Sequence, residues 1–405
     1  MSTDYNEKSL ELHKKLRGKL SIIPKKGGSI KDIEDMSMLY TPGVAEPCRQ
    51  IAKDKKLVYE LTMKHNTVAI VTDGSRVLGL GDIGPEAALP VMEGKALIMQ
   101  QFAGIDAFPI CLDAKDTDEI VRIVKAIAPV FGAINLEDIS TPKVFEIEER
   151  LTNELPIPVF HDDQHGTAVV VLAGLINAMK LTKKTKSAKI GIVGAGGAGY
   201  WIAKLLHAYG FENIVVFDSK GAIYKGRSDI QVTGDPVTTV LEMEFPVHQA
   251  SVHKTDIANI TNTFGFDGHI TEFEGADIII AASKPGTLPL QTIKKMKKPN
   301  IVFALANPVS EISLEQAKEL KIDVFGTGRS DYPNQINNSL CFPGFLRALL
   351  DLRVTKITNE MKIAAAEGIA ASLSASELSR NKIVPSPFEK SLAGNIRKMV
   401  EETIK

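Results

Sequence analysis

The stretch KIGIVGAGGAGYWIAKLLHAYG, residues 189–210, constrains the fold of this chain more than any other. A continuous apolar run leads straight into Gly194-Ala195-Gly196-Gly197-Ala198-Gly199, and a helical pattern leads straight out. Gly194 permits the tight turn, Gly196 lets a pyrophosphate approach the backbone at the helix amino terminus, and Gly199 permits close packing of helix on strand. About twenty residues on, the next apolar run ends at Asp218, where a carboxylate accepts hydrogen bonds from ribose hydroxyls. Asp218 favours NAD by repelling a ribose 2′-phosphate, whereas Lys220 offers NADP a counter-charge, so both nucleotides stay open.

Further apolar runs follow at 213–218, 276–282, 300–306 and 323–328. None alternates with polar residues, the pattern of strands buried on both faces of a parallel sheet. The expectation is a doubly wound Rossmann-type α/β domain over 161–385, with a carboxy-terminal helix over 386–405. Residues 221–270 are more polar and show no clear period. Before them, the short runs TVAIV, AFPICLD and GAINLED alternate with longer helical stretches, which predicts a mixed α/β substrate domain over 1–160. The Leu155-Pro156-Ile157-Pro158 segment places the boundary near 160, ahead of a buried helix over 168–180. Gly79-Leu80-Gly81-Asp82-Ile83-Gly84 repeats the glycine pattern, but Pro85 follows it and Pro90 is expected to interrupt the next helix. It reads as a structural turn or as the other half of a cleft.

Composition excludes several partners. Lys plus Arg is 48 against 49 for Asp plus Glu, without a long block of one sign, so neither nucleic acid nor an anionic membrane is expected. The longest apolar run is far shorter than the roughly 20 residues that span a bilayer. Cys48, Cys111 and Cys341 are widely spaced, which argues against disulfides and a thiolate zinc site and for a reducing, cytoplasmic location.

Two acidic pairs close apolar runs: Glu137-Asp138 and Asp162-Asp163. Neighbours on a regular strand point to opposite faces, so a pair converges on one ion only where the backbone turns, as Ile139-Ser140-Thr141-Pro142 allows. Converging oxygens suit Mg²⁺ or Mn²⁺, and exposed helix caps are the alternative. Lys95 lies in an otherwise apolar helix: it either snorkels, or sits in a cleft where burial and a nearby cation lower its pKa enough for it to act as a general base. Tyr40 precedes a Thr-Pro-Gly turn and is either a packed aromatic or a site residue; Arg76 is either a surface arginine or a fork for a carboxylate.

The strings YTPGVAEPC, TDGSRVLGLGD, EGKALI, NLEDIS, FHDDQHGTA, GAGGAG, ALANP and GRSDYPNQINNSLCFPG, in this order, resemble the malic enzyme family, in particular its shorter prokaryote-type members. The resemblance runs over roughly residues 20–385. It implies that Tyr40 is the general acid, Lys95 the general base, and Glu137, Asp138 and Asp163 the ligands of a divalent metal. Asp162 looks like the acid that orients the lysine. Arg76, Asn307, Asn337 and Asn338 resemble residues that hold malate or the nicotinamide end of the cofactor. A homodimer or larger assembly is implied, and regulation through an acetyltransferase-like extension is not expected.

The implied reaction is (S)-malate + NAD(P)⁺ → pyruvate + CO₂ + NAD(P)H. Two alternatives remain at this stage. One is a malolactic-type or oxaloacetate-decarboxylating enzyme without net reduced cofactor; the other is a catalytically dead nucleotide sensor, against which the set Tyr40, Lys95, Glu137, Asp138 and Asp163 argues.

Overall fold

The computed structural model describes residues 10, 12, 15, 16, 19, 20, 29–230 and 249–404. Part of the polar stretch 221–270, residues 231–248, therefore lies outside the described residues, as does most of the amino-terminal segment.

Two parallel sheets organise the chain. The first has the order β2-β1-β3-β4, built from β1 (Thr67–Thr72), β2 (Asp106–Cys111), β3 (Ala133–Leu136) and β4 (Val159–His161). Alternate residues face opposite ways along a strand. Ala69, Val71, Ile134 and Leu136 pack on the amphipathic helices Thr117–Ile127 and Lys143–Glu154. Val68 and Ile70 face Met92 and Met99 of the Pro85–Ala103 helix and Phe345 of the Phe342–Asp351 helix.

The second sheet has the order β10-β9-β8-β5-β6-β7. Its strands are β5 (Ile190–Val193), β6 (Ile214–Asp218), β7 (Gly221–Ala222), β8 (Ile278–Ala281), β9 (Ile301–Ala304) and β10 (Val324–Thr327). All pair in parallel except β7, which is antiparallel to β6. The order reverses beside β5, between β6 and β8, and in sheets of this kind the carboxyl ends of the strands at such a switch point are where ligands bind. One apolar cluster, including Ile70, Met92, Phe160, Leu172, Ile192, Phe303 and Leu346, runs through both sheets and fixes their relation.

The Thr167–Thr182 helix is apolar on all sides because it is buried on all sides, packed on the helices Gly197–Tyr209 and Asn359–Ala371. Together with the turn before it, it is the one described helix long and apolar enough to cross a membrane, and most of it lies inside the protein.

Pro90 does not interrupt its helix, contrary to the sequence expectation: the helix runs unbroken from Pro85 to Ala103. Pro90 and Glu86, whose carbonyl loses its partner, are both exposed residues, so the missing bond falls on the solvent side of the helix. The continuity matters, because Lys95 stands one and a half turns beyond the proline, on the face that meets the sheet edge.

Candidate active site

The acidic pairs sit at the carboxyl ends of β3 and β4. The strand β3 stops at Leu136 and Asp138 adopts a left-handed backbone, φ 51°. The chain thus turns within the acidic pair itself, earlier than the Ile139–Pro142 segment expected to supply the turn. After β4, Asp162–Gly166 forms a wide turn of π-helical pitch. Gly166 is required there, since a Cβ on it would lie 1.9 Å from Asp162 Oδ1.

These turns bring one oxygen each from Glu137, Asp138 and Asp163 within 4.8 Å of one another. The backbone amide of Asp138 donates to Asp163 Oδ2 at 3.1 Å, tying the two turns together. Asp138 Oδ2 is buried with no hydrogen-bond partner among the described residues. A buried orphan oxygen in a convergent set of carboxylates fits a hard divalent cation such as Mg²⁺ or Mn²⁺.

Lys95 enters from the helix side. Its Nζ donates to Asp162 Oδ2 at 2.6 Å and to Glu137 Oε1, and lies 4.7 Å from the centre of the Phe342 ring. Lys95 is 8% exposed and Asp162 is fully buried. On the other side Asn135 Nδ2 donates to Glu137 Oε2 at 2.9 Å. Asn135 was missed by sequence reasoning, although a lone amide two residues before Glu137 in a buried strand puts both on one face.

Burial raises the carboxyls: Glu137 and Asp162 lie above the usual range, and Asp138 is pushed up to about 7, with Asp163 adding repulsion. Burial alone would depress Lys95, but Asp162 and Glu137 outweigh it and hold the ammonium above its ordinary value. The expected lowering assumed a cation beside the ammonium; between the carboxylates alone the shift runs the other way. The reason is geometric: the lysine touches two carboxylates directly.

The glycine turn has the anticipated form. Gly194 has φ 112° and a Cβ there would lie 2.3 Å from Ala282 O; a Cβ on Gly199 would lie 1.8 Å from Gly194 O. Gly196 has open space where a Cβ would be, leaving Ala195–Ala198 free to line a cradle at the amino terminus of the Gly197–Tyr209 helix. Gln164 of the acidic turn reaches this loop, with Nε2 3.0 Å from a Cβ built on Gly197. The acidic turn and the glycine turn are therefore neighbours.

The other expected residues divide. The Arg76 amide donates to Asp138 O at 3.0 Å, and its guanidinium lowers Asp138 slightly against burial. Asn338 lies against the acidic turn, its Cβ 3.2 Å from a Cβ built on Gly166, and Asn337 caps the short turn Asn338–Leu340 by accepting from Ser339 N. Asn307 follows β9 and donates to Gly328 O at 3.3 Å. The Gly79–Gly84 turn crosses to it, a Cβ on Gly79 meeting Pro308 Cδ at 3.0 Å. Tyr40 is the exception: it is 64% exposed, after the helix Ile33–Leu39, in which no residue is buried.

Residues 18–152 match the malic enzyme N-terminal domain family, and residues 164–393 match the malic enzyme NAD binding domain family. The chain belongs to the malic enzyme family. Among malic enzymes, it is 50% identical to the bifunctional malic/malolactic enzyme of Bacillus subtilis, over 97% of this chain and 92% of that one. It is 51% identical to the NAD-dependent malic enzyme of Geobacillus stearothermophilus, over 92% of this chain and 74% of that one. The crystal structure of the NAD-dependent malic enzyme of Thermotoga maritima superposes with a TM-score of 0.87 at 44% identity, covering 97% and 98% of the two chains.

Beneath the acidic turn lies a buried network that the sequence did not reveal. His165, in the acidic turn, pairs Nε2 with Glu148 Oε1 at 2.5 Å, and Lys362 Nζ lies 3.2 Å from His165 Nδ1. Burial depresses His165 to about 4, so the ring is neutral, donating from Nε2 to Glu148 and accepting at Nδ1 from Lys362. Three distant segments, 143–154, 162–166 and 359–371, are joined there.

Proposed function

We propose that this chain is an NAD(P)-dependent malic enzyme that converts (S)-malate to pyruvate and CO₂. The observation that carries the reading is the convergence of Lys95, Glu137 and Asp162 with Asp138 and Asp163, beside the Gly194–Gly199 turn. Glu137, Asp138 and Asp163 would hold the cation. When bound, the nicotinamide accepts hydride and the divalent cation supplies charge stabilisation at the C2 oxygen.

The chain's own residues handle protons and position. Lys95 takes the C2 hydroxyl proton, and Asp162, 2.6 Å from its Nζ, orients it. Asn135 orients Glu137, and the backbone of Asp138 orients Asp163. Arg76, Asn307, Asn337 and Asn338 bind the malate carboxylates and the nicotinamide end of the cofactor. Tyr40 returns a proton to C3 once the carboxylate has left. Its exposure in one chain fits a homodimer in which a second copy covers the Ile33–Val44 segment, where Ile33, Met36, Met38, Leu39 and Val44 are also exposed. The protein is assigned to the cytoplasm.

The test is the initial rate against malate with NAD⁺ and NADP⁺ in parallel, with and without Mg²⁺ or Mn²⁺. Cation-dependent formation of pyruvate and NAD(P)H is expected. Stoichiometric lactate with no net NAD(P)H would instead support the malolactic reading, which the bifunctional Bacillus subtilis relative keeps in view. Nucleotide binding without malate turnover would leave only a sensor.

A further inference from the structure

The dinucleotide reading above assigns Asp218 to the ribose, but its carboxylate is already full. Two carboxylate oxygens offer about four acceptor positions. Lys220 N and Arg227 Nη1 each reach Oδ1 at 2.9 Å, and Arg227 Nη2 and Lys254 Nζ each reach Oδ2 at 2.6 Å. A ribose hydroxyl arriving at the end of β6 finds an acceptor only after one donor has left.

The donors are not equally free to leave. Arg227 is locked between two carboxylates, bonding Asp229 through Nε at 2.7 Å and the β7 carbonyl of Ala222 through Nη1 at 3.0 Å. Its side chain is 8% exposed, against 28% for Lys254. Lys220 binds Asp218 through its backbone, while its ammonium is occupied by Asp229 at 2.9 Å. Lys254 is the donor that can swing away. Its helix, Gln249–Ile260, is anchored by the buried Ile257 and Ala258, so the side chain moves while its base stays.

We propose that Lys254 sets the nucleotide preference of this site: paired with Asp218 it closes the last acceptor position to a ribose 2′-hydroxyl, and released it meets a 2′-phosphate. Charge runs the same way. Lys220, Arg227 and Lys254 against Asp218 and Asp229 leave one net positive charge, which favours the added phosphate of NADP. Without Lys254 the cluster is neutral and Asp218 Oδ2 has a free position, the arrangement that suits NAD.

The experiment measures dissociation constants of NADH and NADPH by nicotinamide fluorescence, and kcat/KM for malate with each oxidised nucleotide, in the wild type, Lys254→Met and Lys254→Arg. Lys254→Met is expected to tighten NADH, weaken NADPH and shift the ratio of their constants by about tenfold, an ordinary value for one well-placed charge. Lys254→Arg, which keeps the cation, is expected to keep the wild-type ratio. An unchanged ratio in Lys254→Met, or equal weakening of both nucleotides, overturns the proposal. Failure of the wild type to bind either nucleotide would instead bring down the dinucleotide reading on which it rests.

Discussion

Lys95 shows how one side chain acquires a chemical role from its neighbours. Its helix is apolar, and its ammonium is tolerated because Glu137 and Asp162 both reach it. Lys95→Ala is expected to abolish malate oxidation while leaving decarboxylation of added oxaloacetate partly active, because the second reaction needs no hydroxyl proton removed. Equal loss of both activities would contradict its assignment as the base. Asp138, held at about 7, gives a pH signature. Its proton must leave before a cation binds, so the rise in Tm on adding Mg²⁺ is expected to be large at pH 8 and to shrink as pH falls below about 7. A cation-induced shift that is the same at pH 6 and pH 8 would refute this. At this scale residue types were legible and protonation was not. The acids could be named from their positions at strand ends, whereas the sign of the lysine shift depends on which carboxylates it touches, and that contact joins residues far apart in the chain.

Elements explain why the glycine turn was readable and the acidic turn only in part. The turn at 194–199 follows from local rules: a Cβ on Gly194 and one on Gly199 would clash with backbone oxygens of Ala282 and of Gly194, and Gly196 leaves its surroundings open. Gly199→Ala would force a Cβ to within 1.8 Å of Gly194 O. The expected result is a loss of about 1–3 kcal/mol of stability and of NADH binding, checked by urea unfolding and fluorescence titration. Unaltered NADH affinity in a folded variant would show that the turn is not the cradle. The acidic turn is set by long-range partners. Glu148, His165 and Lys362 come from three segments, and no periodicity announces their meeting. Pro90 taught the reverse lesson: a local rule predicted a break, yet the helix runs on, with Pro90 and Glu86 both on its exposed side.

For the whole molecule, two sheets share a continuous apolar cluster, and their carboxyl edges place the acids of one beside the glycine turn of the other. The parallel sheets were legible because buried strands are continuously apolar; the packing of the Phe342–Asp351 helix back onto the first sheet was not, since either sheet would accept its apolar face. The exposed Ile33–Val44 segment predicts a homodimer by sedimentation, with Ile33→Asp weakening it; a wild type that sediments as a monomer at micromolar concentration would refute this. The central claim is that Glu137, Asp138 and Asp163 make one cation site, and the most direct test is Mn²⁺ binding followed by electron paramagnetic resonance. One Mn²⁺ per chain is expected in the wild type, with affinity falling at least about tenfold in Asp163→Asn at unchanged Tm of the metal-free protein. Undiminished Mn²⁺ affinity in that variant would contradict the account.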